Sequence, residues 1–114
     1  MLGKVAVKKY NYSEAIKYYL KYCELNPKKS WAYNNLGETY YLNKEYDNAI
    51  LSLNKSLSIS PNDPMVYKIR GLIFIAKKDV DMGCNNLFKA LQNGYLEIYG
   101  YDLLDIYLKN CEDQ

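Results

Sequence analysis

The sequence repeats itself at an interval of 34 residues, and this constrains its fold more than any other feature. Four residues recur in the same order and spacing: Tyr12, Ala15, Ile16 and Pro27 correspond to Tyr46, Ala49, Ile50 and Pro61. A weaker third copy keeps the register, since Gly37 corresponds to Gly71 and Leu53 to Leu87. Repeats this short cannot bury their own apolar faces, so each packs against its neighbours. The chain is therefore predicted to offer a binding surface rather than a reaction centre.

Within each repeat, apolar residues recur at spacings of three and four, the pattern of an amphipathic helix. In the central repeat, Tyr33, Leu36 and Tyr40 follow this spacing. Short polar segments and the Ser60-Pro61 dipeptide end the helices, because proline disfavours helical geometry in the residue before it. We predict an all-α chain with no strands and with helices at residues 1–9, 13–26, 30–42, 47–60, 64–77, 81–93 and 96–110.

Polar residues at equivalent repeat positions indicate where the helices begin. Ser13, Asp47 and Asp81 each precede a predicted second helix, and all three belong to the residue types favoured at the N-cap. Asp63 followed by Pro64 predicts another capped start, because proline at the first helical position has no N–H to leave unsatisfied.

The last predicted helix differs from the first helices of the complete repeats. Asp105 stands where those repeats have Gly37 and Gly71. A glycine there allows two helices to approach closely, whereas an aspartate suits contact with water. We expect this helix to cap the array with a polar stripe that faces solvent: Asp102, Asp105, Lys109 and Glu112.

The recurring residues resemble the tetratricopeptide repeat, a helix–turn–helix unit of 34 residues. The central copy carries the pattern at Tyr33, Leu36, Gly37, Tyr40, Tyr46, Ala49, Leu53, Ser56 and Pro61. The N-terminal copy carries it at Leu2, Gly3, Tyr12, Ala15, Tyr19 and Pro27, and the third at Tyr67, Gly71, Phe74, Leu87 and Ala90. The third copy departs from the pattern in having Gly83 in place of alanine and Tyr95 in place of the closing proline.

The resemblance implies an α–α superhelix, a right-handed solenoid of about three helix–turn–helix units followed by a capping helix. The expected organisation is one domain over residues 1–114, with repeats at 1–29, 30–63 and 64–95 and the capping helix at 96–110. The first repeat lacks its opening residues, and the sequence leaves open whether the chain is a fragment of a longer protein.

The resemblance also implies a function, because tetratricopeptide arrays are protein–protein interaction modules. The first helices of the units typically line a concave groove that holds an extended peptide or a partner helix. The matching positions here are Trp31, Asn34, Asn35, Glu38, Tyr41, Met65, Lys68, Ile69 and Leu72, with Ile75, Lys4, Val7 and Lys8 beside them. Asparagine amides can both donate to and accept from a peptide backbone. The alternative for the aliphatic positions is that they only pack on the next helix.

One specialised form of binding is not expected. Chaperone-binding members of this family hold a C-terminal carboxylate with asparagines and basic residues. Asn35 matches the middle position of that set, but the third unit has Met65 and Ile69 where basic residues are needed. The sequence therefore predicts that this chain does not bind chaperone tails.

Composition excludes several other functions. The chain has no histidine, so it lacks the commonest general base and metal ligand, and we expect neither catalysis nor a cofactor nor a metal. The net charge of +2 does not favour nucleic acid, and no stretch approaches the roughly 20 apolar residues of a membrane span. We therefore expect a protein or peptide partner, and self-association through exposed apolar surface and tyrosines remains the alternative.

The three cysteines have no metal-ligand spacing. An antiparallel hairpin that turns near Gly94 would place Asp105, rather than Cys111, level with Cys84, so a Cys84–Cys111 disulfide would require the end of the chain to curl back. We therefore expect reduced thiols and a cytoplasmic protein.

Overall fold

The computed structural model describes residues 11–111, and every regular element in this range is an α-helix. The helices are α1 (Tyr12–Leu25), α2 (Ser30–Leu42), α3 (Tyr46–Ile59), α4 (Pro64–Ala76), α5 (Val80–Gln92), α6 (Tyr95–Tyr99) and α7 (Asp102–Cys111). The chain forms two compact units, one ending at Pro61 and one beginning at Asn62. The prediction of an all-α fold is confirmed, and the helix predicted at residues 1–9 lies outside the described residues.

In the first unit, apolar residues of α1 pack against α2. Ile16, Tyr19 and Cys23 form a buried cluster with Ala32 and Leu36. Tyr19 is only 1% exposed. Because burying a large apolar side chain stabilises a fold by about 1.5–3 kcal/mol, this cluster fixes how α1 lies on α2.

Helices α2 and α3 cross at small residues. A Cβ atom added to Gly37 would lie 2.6 Å from Leu53 Cδ2 and 3.3 Å from the Ala49 carbonyl oxygen. Gly37, Ala49 and Leu53 are all buried, so the close approach of two helices that was expected at this glycine position is confirmed. Near the start of α2, the Ser56 hydroxyl donates to the Ser30 carbonyl oxygen at 3.0 Å.

The second unit repeats this crossing with a glycine on each helix. A Cβ atom on Gly71 of α4 would lie 2.6 Å from Leu87 Cδ2 and 3.0 Å from the Gly83 carbonyl oxygen. A Cβ atom on Gly83 would lie 2.6 Å from Ile75 Cγ1 and 3.0 Å from the Gly71 carbonyl oxygen. The departure from alanine at Gly83 thus has a physical reason: the two backbones leave no room for a methyl group.

The core of the second unit continues into the last two helices. Leu87 and Ala90 of α5 pack with Tyr95 of α6 and Leu103 of α7, and each of these side chains is at most 2% exposed. This shared cluster holds α6 and α7 against α5.

Three predicted N-caps, Ser13, Asp47 and Asp81, are wrong because their helices begin earlier. The residues at the observed N-cap positions lie two residues before them: Asn11, Glu45 and Asp79. The Asn11 and Asp79 side chains each accept from a backbone N–H three residues ahead, at 3.2 Å. The cap predicted at Asp63 is confirmed, since its carboxylate accepts from the Met65 N–H at 3.0 Å.

The early starts of α3 and α5 follow from the turns before them. Lys44 and Lys78 adopt left-handed backbone conformations, with φ of 61° and 70°. The next residue in each turn donates its N–H back to the preceding helix, and the Glu45 N–H reaches the Tyr40 carbonyl oxygen at 2.9 Å. Such a closed turn reverses the chain within a few residues, so the following helix begins at once.

The single final helix predicted at 96–110 is also wrong, because the chain breaks into α6 and α7. Gly100 lies between them with φ of 102°, a conformation that glycine adopts readily and other residues do not. Asp105 and Lys109 are exposed on α7, in agreement with the predicted polar stripe, whereas Glu112 lies outside the described residues.

The prediction of reduced thiols is wrong for two of the three cysteines. Cys84 of α5 and Cys111 of α7 form a disulfide with their Cα atoms 5.8 Å apart, while Cys23 is free and buried. The break at Gly100 is the physical reason, because it shifts α7 along α5 so that Cys111, and not Asp105, reaches Cys84. Since disulfides persist chiefly in oxidising compartments, the cysteines no longer favour a cytoplasmic location.

Candidate interaction surface

Five of the predicted groove residues lie along α2. Their positions, spaced by three and four residues, are Trp31, Asn34, Asn35, Glu38 and Tyr41. Trp31 is 40% exposed, and the other four are half-buried. The structure therefore brings these residues together as one strip on a single helix, which we call the α2 strip.

Aromatic neighbours support both ends of the α2 strip. The Trp31 ring lies 5.0 Å from the Tyr22 ring of α1, with the two planes inclined at 50°. At the other end, the Tyr41 and Tyr46 rings are 6.1 Å apart. Contacts of this kind hold an exposed ring in one orientation, which lowers the entropy lost when a ligand binds.

The middle of the α2 strip touches the buried Tyr19. Burial raises the pKa of the Tyr19 hydroxyl, and the neighbouring Tyr18 and Glu38 raise it further. The Asn35 side chain hydrogen-bonds to Tyr19, so part of its amide already has a partner. Within residues 11–111, the Asn34 side chain makes no hydrogen bond.

The four predicted residues on α4, in the second unit, have different environments. Ile69 is only 3% exposed and belongs to the core, which agrees with the packing alternative. Met65 is half-buried and packs against the core cluster, and Leu72 is half-buried as well. Beside them, Ile75 contacts the helix crossing at Gly83.

Lys68, the fourth residue on α4, is bound by α6 and α7. Its Nζ atom lies 2.9 Å from Asp102 Oδ2 and 3.0 Å from the Tyr95 hydroxyl oxygen, and the Tyr95 hydroxyl donates to the same Asp102 oxygen at 3.1 Å. The Lys68 side chain is 17% exposed, compared with 53% for Asp102. We call this set the Lys68 cluster.

Charge pairing in the Lys68 cluster shifts both pKa values. Burial by itself lowers the Lys68 pKa, but the hydrogen bonds to Tyr95 and Asp102 raise it above its ordinary value. The hydrogen bond from Lys68 lowers the pKa of the Asp102 carboxyl. Both groups are thus held in their charged forms.

Sequence reasoning assigned Lys68 to a groove and Asp102 to solvent, and did not pair them. A signal was present: the two residues are 34 positions apart and carry opposite charges. They therefore occupy the same place in successive repeats. The positions Lys4, Val7 and Lys8 lie outside the described residues.

Within residues 11–111, no group of three or more histidine, cysteine, aspartate or glutamate side chains is arranged to hold a metal ion. In the same range, no helix has the length and apolar character needed to cross a bilayer.

Comparison with known proteins identifies the repeats. Residues 30–63 and residues 1–29 each match a family model described as a tetratricopeptide repeat. A curated relative is the anaphase-promoting complex subunit cut9 of Schizosaccharomyces pombe, 34% identical over 110 residues. The match covers 90% of this chain and 16% of that protein, so the chain spans about a sixth of its length.

Solved structures show the same fold. The crystal structure of the Cut9–Hcn1 assembly matches 94% of this chain and 22% of that chain at 32% identity, with a TM-score of 0.81. The TPR2B domain of yeast Sti1 in complex with pHsp70 matches 98% of this chain and 92% of that chain at 21% identity, with a TM-score of 0.85.

Proposed function

Because this chain belongs to the tetratricopeptide-repeat family, we propose that it is a non-catalytic protein-interaction module whose α2 strip binds a peptide or helix of a partner protein. The observation that carries the proposal is the composition of the α2 strip. It combines an exposed tryptophan with amide and carboxylate groups on one rigid helix.

The residues of the α2 strip suit different parts of a peptide ligand. Trp31 supplies apolar area that is only partly covered in the unbound chain, and tryptophan is among the residues that contribute most to binding when desolvated. Asn34 can donate to and accept from a peptide backbone. Asn35 hydrogen-bonds to Tyr19, and the Glu38 charge acts on the Tyr19 hydroxyl, so we assign both residues a smaller share of binding.

Proteins of similar fold support this proposal. The Sti1 domain is in a complex with pHsp70, and Cut9 is in a complex with Hcn1. The ligand class proposed for this chain differs from a chaperone tail, because Met65 and Ile69 cannot pair with a carboxylate. We assign Lys68 to holding α7 rather than to binding a ligand, since Asp102 and Tyr95 already surround its ammonium group.

Binding can be tested without knowing the natural partner. Random 12-residue peptides displayed on phage would be selected on the purified chain, and the affinity of the selected peptides measured by fluorescence anisotropy. Trp31→Ala should weaken binding by about 5- to 30-fold, since such anchors typically contribute about 1–2 kcal/mol or more. Asn34→Ala should weaken it by about 2- to 10-fold, equivalent to one hydrogen bond.

Leu51→Ala is the matched control, because Leu51 is 67% exposed on α3 and lies away from the α2 strip. Circular dichroism would confirm that each variant folds. The peptide SRMEEVD, which is bound by a structural neighbour, should show no saturable binding here. If the Trp31→Ala/Asn34→Ala double variant binds every selected peptide at full strength, the α2 strip is not the binding site.

Self-association is the second candidate function, and the large exposed side chains Leu25, Leu51 and Tyr101, each at least 66% exposed, favour it. Sedimentation velocity over a wide concentration range separates the two proposals. A monomer that binds selected peptides supports the adaptor, whereas a dimer whose formation blocks peptide binding supports self-association.

A further inference from the structure

Helix α2 carries a single charge, and this charge lies in the α2 strip. From Ser30 to Leu42, Glu38 is the only acidic or basic residue. It is half-buried, and within residues 11–111 its carboxylate forms neither a hydrogen bond nor an ion pair. A carboxylate that is partly removed from water and lacks a cation is stabilised by a cation that a ligand brings to it.

The lysines of α1 and α3 do not supply that cation. Lys17 and Lys21 are exposed on the side of α1 opposite to the face that packs on α2. The Nζ atom of Lys55, on α3, lies 6.0 Å from the centroid of the Tyr33 ring. Tyr33 is five residues before Glu38, which places it on another side of α2.

The remaining described lysines of the first unit lie in the turns at the two ends of α2. Lys28 and Lys29 precede the helix and are exposed. Lys29 is nine residues before Glu38, about 13 Å along the axis, which exceeds the screening length of about 10 Å at 0.1 M salt. Lys44 follows the helix, next to the opposite charge of Glu45. The α2 strip is thus negative in its middle and has positive charge only beyond its ends.

Two residues of the α2 strip define a distance that a ligand has to match. Trp31 and Glu38 are seven residues apart, so they lie on one face of α2 about 10.5 Å from each other, with Asn34 between them. A peptide in the polyproline II conformation repeats its side-chain direction every three residues, or about 9.3 Å. A β-strand repeats it at about 6.7 and 13.4 Å, which fits less well. An extended ligand therefore meets both residues with side chains three positions apart.

We infer that the α2 strip selects peptides that place a lysine or arginine against Glu38 and, three residues away, an apolar side chain against Trp31. The inference rests on the proposed binding at the α2 strip and adds the chemistry of the ligand. Charge complementarity of this kind governs specificity more than affinity, which agrees with the smaller share of binding assigned to Glu38. An acidic ligand would instead place a like charge beside an unpaired carboxylate.

The test starts from the peptides selected by phage display on the wild-type chain. Compared with the unselected library, they should be enriched in pairs of an apolar and a basic residue three positions apart. Versions of one such peptide with glutamine or glutamate in place of the basic residue are then compared by fluorescence anisotropy. The glutamine version should bind about 3- to 10-fold more weakly, and the glutamate version more weakly still. Glu38→Gln should abolish the difference between the basic and glutamine versions, and Glu38→Lys should make the glutamate version the tightest ligand.

Glu24→Lys is the matched control, since it makes the same charge change on α1 at a side chain that is 71% exposed. It should leave the order of the three peptides unchanged. Selected peptides without enrichment of basic residues, or a preference for the basic version that survives Glu38→Gln, would overturn the inference. The proposed function is judged separately, by the Trp31→Ala/Asn34→Ala double variant. If that variant loses binding while Glu38→Gln keeps the wild-type order, peptides bind the α2 strip but Glu38 does not select them.

Discussion

Replacing Gly83 with alanine sets two physical effects of similar size against each other. Alanine is the better helix former, and in the interior of α5 it should stabilise the chain by about 0.5–1 kcal/mol. The structure opposes this gain, because the new methyl group would lie 2.6 Å from Ile75 Cγ1 and 3.0 Å from the Gly71 carbonyl oxygen. The Gly71 oxygen belongs to the backbone of α4, so it can move only if the two helices separate.

The expected result is a net loss of stability. Inserting a methyl group into a packed interior costs about 1–3 kcal/mol. After the helix-propensity gain is subtracted, Gly83→Ala should lower the free energy of unfolding by about 1 kcal/mol. For a domain of this size, that loss corresponds to a decrease in Tm of about 4–8 °C.

Urea unfolding followed by far-UV circular dichroism measures the effect. Asn85→Ala is the control, because Asn85 is exposed on the same helix and its replacement should raise stability by about 0.5 kcal/mol through propensity alone. In a chain that already carries Ile75→Ala, the Gly83→Ala change should cost less free energy of unfolding than it does in the wild type, since one of the clashing side chains is shortened. If Gly83→Ala stabilises the chain as much as the control does, the close crossing of α4 and α5 is refuted.

Two further predictions concern the attachment of α7. Removal of the disulfide, by dithiothreitol or by the double substitution Cys84→Ser/Cys111→Ser, should lower the free energy of unfolding by about 3–4 kcal/mol. This value is the chain-entropy estimate for a loop with a sequence separation of 27. Unchanged urea unfolding would contradict it. Asp102→Asn should destabilise the chain at neutral pH. Because folding lowers the Asp102 pKa, the wild type should have a higher free energy of unfolding than the variant at every pH above the ordinary carboxyl pKa. This difference in free energy should disappear as the pH falls through the pKa that Asp102 has in the folded chain. Because folding raises the Lys68 pKa, the difference in free energy of unfolding should also diminish as the pH rises through the pKa of Lys68 in the folded chain. A difference in urea midpoint that does not depend on pH would refute the charge pairing.

The hairpin pattern could be predicted from sequence because independent signals agree on it. Apolar spacing, Pro61 and the pair Asp63-Pro64 all indicate the same boundaries, and the observed ends of α2 and α4 lie within one residue of the predicted ones. Helix boundaries can be predicted from sequence where the local residue preferences and the pattern of the whole fold agree.

Three N-caps were predicted at the wrong residues because the residue types that are favoured at an N-cap do not determine the geometry of the turn before the helix. Lys44 and Lys78 adopt a left-handed conformation that is uncommon for lysine, and residue type gave no sign of it. Asp47 and Asp81 then fall in the first helical turn, where a negative charge still interacts favourably with the helix dipole.

The second unit contains what sequence reasoning could not find. A single glycine, Gly100, changes the direction of the chain, and the position of Cys111 relative to Cys84 depends on that change. The pairing of Lys68 with Asp102 depends on the same geometry. By contrast, the α2 strip requires only the regular spacing of one helix, which is why its residues could be grouped from sequence.

An NMR titration tests the proposed function most directly. A peptide selected by phage display would be added to ¹⁵N-labelled chain, and the backbone and side-chain amide shifts followed to saturation. We predict the largest shifts at the Trp31 indole and the Asn34 side-chain amide, with Leu51 and Phe88 unaffected. Shifts that concentrate on α5 and α7 while the Trp31 and Asn34 signals stay unchanged would contradict the assignment of peptide binding to α2.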